Sequence, residues 1–347
     1  MSEMIYEYIW LDGCNPPNLR SKIKICDDDE LSIQTFDGSS TKQSSPERSD
    51  LVLNPVRVYE NPLFTTSNLL YSLYPAKLIL CEVLDEDMNP TETSTARRKL
   101  AYLVQKYRNE EILVSIEQEY VLMDARHRYP LGWHPNHHPQ PSDAYYCGVG
   151  AKSVVGREIA EEHLFACLDA GISISGMNAE VMLSQWEYQI GICDPLRAAD
   201  DLIVSRYLLY RICERYSAYP SFDPKPVKGW SGSGCHINIS TKRTRSQDDK
   251  IRNDEIKKII SKLRENHEIL LKNYGKNNHE RLTGEHETCR YDEFRYGVMD
   301  RTASVRIPWL THRGYAGYIE DRRPAANMNP YDALSALLSV LFEEVES

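Results

Sequence analysis

Among the 347 residues, no two cysteines stand in a Cys-x-x-Cys pair. The nine present are scattered from Cys14 to Cys289. An odd, unpatterned set excludes a disulfide-stapled secreted fold and fits reduced thiols. No apolar run reaches the roughly 18 residues of a membrane-spanning helix, and the opening MSEMIYEYIWLDG shows no charged leader ahead of an apolar stretch. The expected setting is cytoplasmic, with no membrane partner. A net positive balance is missing too. The formal net charge is −10, whereas a nucleic-acid surface needs clustered Lys and Arg, so no nucleic acid is expected as a partner. Also missing are the phosphate-loop order GxxxxGK(S/T), the GxSxG elbow and the HExxH helix. Gly148 to Ser153 (GVGAKS) has the residue types of a phosphate loop without its spacing. His134, His137 and His138 lie in a Pro-rich loop with no carboxylate at a matching spacing, which favours surface imidazoles over a metal site.

What is present suffices for a large core, since 41% of the residues are hydrophobic. The first part reads as short strands at 5–11 (IYEYIWL, then Asp12-Gly13), 18–26 and 77–84, with an exposed loop at 36–41 (FDGSST). This predicts a small sheet domain over 1–85. The remainder, 86–347, mixes both element types. Helices are expected from a Thr93 or Ser94 cap to about 107, over 157–170 ending at Gly171, over 199–215, over 254–274 closed by Gly275, and after Asn329-Pro330. Strands are expected at 112–123 and, as a pair, at 178–192, with a polar surface loop at 240–253. The alternation lacks the rhythm of a doubly wound sheet, so the class is α+β.

Four carboxylates sit in apolar or aromatic surroundings that read as strand. Glu117 and Glu119 are two apart in SIEQEYVLM, and a period of two puts both on one face. Glu180 and Glu187 belong to the next predicted strand pair. An antiparallel sheet with one wet face would also carry Glu-x-Glu, so the pair alone decides nothing. The four gain force alongside His236, in the glycine-rich WSGSGCHIN at 230–238. Buried carboxylates need cations between them, and carboxylates with a single imidazole suit Mg²⁺ or Mn²⁺ better than zinc. Arg281, Arg301, Arg306, Arg322 and Arg323 stand late in the chain among small residues, a pattern suited to forked recognition of phosphate or carboxylate groups.

Blocks along the chain resemble the glutamine synthetases of the second, eukaryotic-like type: YIWLDG, NLRSK, FDGSST, EQEY, YYCGVG, NAEVM with QWEYQIG, FDPKP, GSGCHINIST, RLTGEHET, DRTASVRIP and GYIEDRRP, in that order. The resemblance covers nearly the whole chain. It implies a small amino-terminal β-grasp domain and a larger catalytic α+β domain of the glutamine synthetase/guanido kinase type. It implies homo-oligomers, a decamer of two stacked pentameric rings, with active sites between subunits. The implied activity joins L-glutamate and ammonium at the expense of ATP, through γ-glutamyl phosphate.

By the same resemblance, Glu119, Glu180 and Glu187 would hold one metal, and Glu117, His236 and Glu320 a second. Arg301 and Arg306 would face the transferring phosphoryl group. Arg281, Arg301 and Arg322, with Gly229 and Trp230, would hold glutamate. Glu117, Glu187, Asn238, Ser240, Arg306 and Tyr318 would contact the nucleotide. Asp37 of a neighbouring subunit would deprotonate ammonium, and Glu287 would close over the intermediate. The chain departs from the family at 141–144 (PSDA), Gly229 and Glu285, and is shorter between Leu31 and Phe36. These departures keep open a related ligase for another amine, and beyond it a catalytically silent structural or regulatory relative.

Overall fold

A computed structural model describes residues 3–26, 31–64, 75–134, 136 and 138–343. His137, one of the three loop histidines, lies outside the described residues. The first five strands are β1 (Met4–Leu11), β2 (Leu19–Cys26), β3 (Gln34–Asp37), β4 (Asp50–Glu60) and β5 (Ala76–Leu84). They form one sheet in the order β2-β1-β5-β4-β3, antiparallel except for the β1–β5 pair. Strand β4 escapes the sequence reading because Pro55 interrupts it. The register slips between Pro55 and Arg57, and at such a bulge the missing N–H costs no ladder bond. The predicted 36–41 loop is shorter than expected, because β3 takes Phe36 and Asp37.

Alternation along β1 feeds two cores. Tyr6, Tyr8 and Trp10 pack with Phe36, Leu51, Leu53 and Ile79 on one face. Ile9 joins Tyr59, Leu78 and Leu80 on the other, continuous with the large core of the rest of the chain.

That larger part comprises α1 (Glu92–Lys106), β6 (Leu113–Asp124), α2 (Arg157–Asp169), β7 (Ile174–Ala179), β8 (Gln185–Cys193), α3 (Pro195–Arg215), β9 (Ala218–Ser221), β10 (Cys235–Ser240), α4 (Asp249–Glu265), α5 (His267–Leu271), β11 (Tyr296–Val298), β12 (Val305–Ile307), α6 (Trp309–His312), β13 (Ile319–Asp321) and α7 (Pro330–Phe342). Its sheet runs β11-β12-β13-β10-β6-β8-β7, with β9 pairing the end of β6. The class is α+β, as expected.

Several boundaries move for identifiable reasons. Helix α1 begins at Glu92, and Ser94 does not cap it; the Ser94 hydroxyl instead accepts from the Val83 N–H at 2.7 Å and pins the helix to β5. Helix α3 begins at Pro195 because Asp194 accepts from the N–H groups of Leu196 and Arg197 and Pro suits the first helical position. Asp248 caps α4 in the same way, so the predicted 240–253 loop is shorter. The single helix expected over 254–274 breaks at Asn266, whose side chain donates to the Lys262 carbonyl at 2.9 Å, a local bond that competes with helix continuation. Among the described residues, no helix is long and apolar enough to cross a membrane.

Candidate active site

The large sheet sets the site by register. Glu119 lies opposite Glu187, and Glu117 opposite Gln189. His236 pairs with Glu117, and Asn238 with Ser115. On the far side, Asn238 pairs with Glu320, and Arg306 with Glu320. Directly opposed residues share a face, so one face of five neighbouring strands carries the carboxylates, the imidazole and an arginine together. Glu180 differs from the sequence reading. Strand β7 stops at Ala179, and Glu180 opens the connection to β8, its N–H bonded to the Gln185 carbonyl at 2.9 Å.

This face floors a cleft of about 700 Å³ lined by Glu117, Glu119, Glu180, Glu187, His236, Arg301, Arg306, Arg322, Gly229, Trp230 and Glu287. A second compartment of about 670 Å³ adjoins it, lined by Glu117, Asn238, Ser240 and Tyr318 with Ile192, Leu310 and Tyr315. Glu117 forms part of both walls. The sequence reading therefore named most of the polar lining. It gave no role to Ser231, Tyr146 and His286 in the first compartment or to Ile192, Arg245, Leu310 and Tyr315 in the second, while Pro141 to Asp143 of the first belong to the 141–144 departure noted above. Tyr146, Ser231 and His286 lie inside the quoted blocks YYCGVG, WSGSGCHIN and RLTGEHET, which is the signal that could have found them. The apolar residues of the second compartment carry no chemical mark in the sequence.

Glu117, His236 and Glu320 offer ligand atoms within 4.8 Å of one another. His236 Nδ1 lies 3.5 Å from Glu117 and 3.6 Å from Glu320. That nitrogen is buried and has no hydrogen-bond partner among the described residues. Burial lowers the His236 pKa to about 4, so the ring is neutral, the form that ligates metals. Burial, then the neighbouring Glu119, raises the Glu180 carboxyl. Burial, then Glu117 and Glu180, raises that of Glu187. Converging carboxylates around a neutral imidazole with an unused lone pair fit a divalent cation, whose charge would reverse both upward shifts.

The arginines divide by partner. Arg306 Nε and Arg322 Nη1 both donate to Glu320, the second at 2.7 Å. Arg301 lines the cleft, and its carbonyl accepts from Arg322 Nε at 3.1 Å. Arg281 is buried. It donates to the carbonyls of Arg322, Arg323 and Pro324 at 2.8–3.1 Å, which makes it a brace for the segment that follows β13, and it lines a smaller pocket with Glu119, Glu180 and Arg322. The glycine-rich loop is shaped by contact. A Cβ on Gly234 would sit 2.4 Å from His236 Nε2, and one on Gly232 2.3 Å from the Pro224 carbonyl.

Asp37 is absent from the lining of this cleft. It is exposed at the end of β3, where hydrogen bonds from Ser39 and Ser40 hold its carboxyl below the usual range. Of the loop histidines, His134 is exposed and the His138 ring lies tilted against Trp133, their centroids 5.6 Å apart. Neither lines the cleft.

The profile of the glutamine synthetase catalytic domain matches residues 93–343. The chain belongs to the glutamine synthetase family. It is 44% identical to a glutamine synthetase of Streptomyces viridochromogenes over 98% of this chain and 97% of the relative. It is 42% identical to one of Schizosaccharomyces pombe over 98% and 92%, and to one of Rattus norvegicus over 95% and 88%. Bacterial and eukaryotic relatives align over nearly the full length, so the glutamine synthetase likeness extends through the amino-terminal sheet, which the catalytic-domain profile does not reach.

Proposed function

We propose that the chain is an ATP-dependent glutamate–ammonia ligase. The observation that carries the reading is Glu117, which stands in the wall of both the polar cleft and the nucleotide-sized compartment. A phosphoryl donor in one can thus meet an acceptor in the other. Glutamate's γ-carboxylate attacks the γ-phosphate of ATP and ADP leaves. Ammonia then attacks the acyl carbon of γ-glutamyl phosphate and inorganic phosphate departs.

The chain's own residues supply position and charge. ATP lies against Asn238, Ser240 and Tyr318. Arg301 and Arg322 hold the carboxylates of glutamate, with Gly229 and Trp230 beside them, while Arg281 keeps Arg322 in place. Arg306 and Arg301 offset charge that develops on the transferring phosphoryl group. Glu119, Glu180 and Glu187 would hold one divalent cation, and Glu117, His236 and Glu320 another, Mg²⁺ or Mn²⁺ by their oxygen-rich donor set. Such ions supply positive charge to the phosphate oxygens. Glu287 and its neighbour His286 both adopt positive φ, 58° and 51°, at a segment we assign to closing over the acyl phosphate and excluding water.

Asp37 is exposed and lies outside the lining of this chain's own cleft. This supports a homo-oligomer with shared sites, which we take to be the decamer of two pentameric rings. There Asp37 binds ammonium and takes its proton. The test is purified protein with ATP, Mg²⁺, glutamate and ammonium: glutamine, ADP and phosphate in equal amounts are expected, and no glutamine would overturn the reading. Asp143 in the cleft lining favours, as a second reading, transfer to a larger cationic amine. A panel in which ammonia is the best acceptor removes it.

A further inference from the structure

We propose that Gln185 is a positioning residue for this reaction, its side-chain amide tying the metal-ligand carboxylate Glu119 to the glycine-rich loop. The inference rests on the proposed function and adds a residue to it. Gln185 begins β8 and is 1% exposed. Its Nε2 donates to the Gly232 carbonyl at 3.0 Å and to Ser233 Oγ at 3.2 Å, and lies 3.5 Å from Glu119 Oε2. Its backbone closes the turn that carries Glu180, accepting from the Glu180 N–H and donating to the Met182 carbonyl, both at 2.9 Å.

One residue therefore touches three segments of the cleft: the Glu180 turn, β6 through Glu119, and the loop at 231–234. The consequence for Glu119 is directional. Its Oε2 accepts from the Gly234 N–H at 2.7 Å with the Gln185 amide alongside. That leaves Oε1, the oxygen 3.9 Å from His236 Nε2, to serve as the ligand. Groups behind a ligating carboxylate orient it in this way. Packing alone does not explain a glutamine here. Its Oε1 is buried without a hydrogen-bond partner among the described residues, so an apolar side chain of the same length would bury this volume without stranding an acceptor.

The test is Gln185→Met, which keeps the length and removes the donor. Mn²⁺ binding is read by electron paramagnetic resonance on the purified oligomer without substrates. Glutamate KM and kcat are read separately, and thermal unfolding confirms the fold. Mn²⁺ affinity falls about ten-fold, and glutamate KM rises about ten-fold with a smaller change in kcat, because the loop beside glutamate loses its tether. Mn²⁺ affinity and KM both within about two-fold of the parent in a folded variant would overturn the assignment. If Gln185→Met yields no folded protein, Ser233→Ala removes one acceptor and reads the same tether. A two- to three-fold loss of Mn²⁺ affinity is then expected, and no loss overturns it. A parent protein that binds Mn²⁺ yet makes no glutamine would remove the proposed function while leaving the Mn²⁺ result to stand on its own.

Discussion

Asp200 offers a sharp test of how the amino-terminal sheet is held to the rest of the molecule. Its carboxylate is fully buried in α3. It accepts from Arg57 Nε on β4, from Arg97 Nε and Nη2 on α1, each at 2.9 Å, and from the Tyr331 hydroxyl on α7 at 2.8 Å. Asp200→Asn keeps the volume, removes the charge, and turns an amide N–H₂ toward guanidinium donors. Breaking a buried pair from one side costs about 3–5 kcal/mol. Arg97 retains Glu82 at 3.0 Å, so the low end applies, about 3 kcal/mol. At roughly 2.1 cal/mol/K per residue, a chain of this size unfolds with about 0.7 kcal/mol/K, and the expected drop in melting temperature is about 4 °C. Differential scanning calorimetry of parent and variant measures it. Asp200 does not line the cleft, so glutamine formation at 25 °C should be retained. A melting temperature within about 1 °C of the parent would refute the account of this junction.

Three further outcomes are expected. Glu117→Gln removes a charge from the Glu117–His236–Glu320 group and should weaken Mn²⁺ binding at least ten-fold in direct titration, as loss of a ligand does. Gly232→Ala would press a Cβ within 2.5 Å of Arg281 Cγ and 2.3 Å of the Pro224 carbonyl; we expect kcat/KM for glutamate to fall about a hundred-fold or more, since a shift of about 1 Å can cost that much. His163, fully buried with Nε2 2.9 Å from the Ser205 carbonyl, has its pKa lowered by burial from 6.5 to about 4. The unfolded chain takes up this proton first on acidification, so the contribution is whole above pH 6.5 and lost as pH falls toward 4. The loss amounts to about 3 kcal/mol. Urea midpoints of His163→Gln should therefore fall less between pH 7 and pH 4 than those of the parent.

Much of the site was legible because its chemistry is carried by charged residues at sheet spacing. Glu117 and Glu119 had to share a face once β6 was recognised, and His236 stood at the start of the next expected strand, whereas Glu320 came from the family resemblance alone and β13 brings it beside them. Glu180 was placed in a strand because NAEVML looks continuous by composition, yet the chain turns there to bring Gln185 back as the start of β8. Arg281 shows another limit. Its residue type pointed to an anion, and besides lining a pocket with Glu119, Glu180 and Arg322 it donates to three backbone carbonyls, which no sequence pattern announces. The nucleotide-sized compartment was half legible, since Ile192, Leu310 and Tyr315 become its wall only when β8, α6 and the segment after α6 converge. In the first sheet, Pro55 hid β4 by breaking its alternation at the one point where a bulge accommodates it.

The central claim is that a glutamate carboxylate becomes an acyl phosphate in the cleft before ammonia attacks. The most direct measurement uses glutamate carrying heavy oxygen in its γ-carboxylate, with ATP, Mg²⁺ and ammonium, followed by mass analysis of the phosphate released. The account predicts one labelled oxygen in each phosphate for each glutamine formed. Unlabelled phosphate, or label transfer without glutamine when ammonium is present, would contradict it.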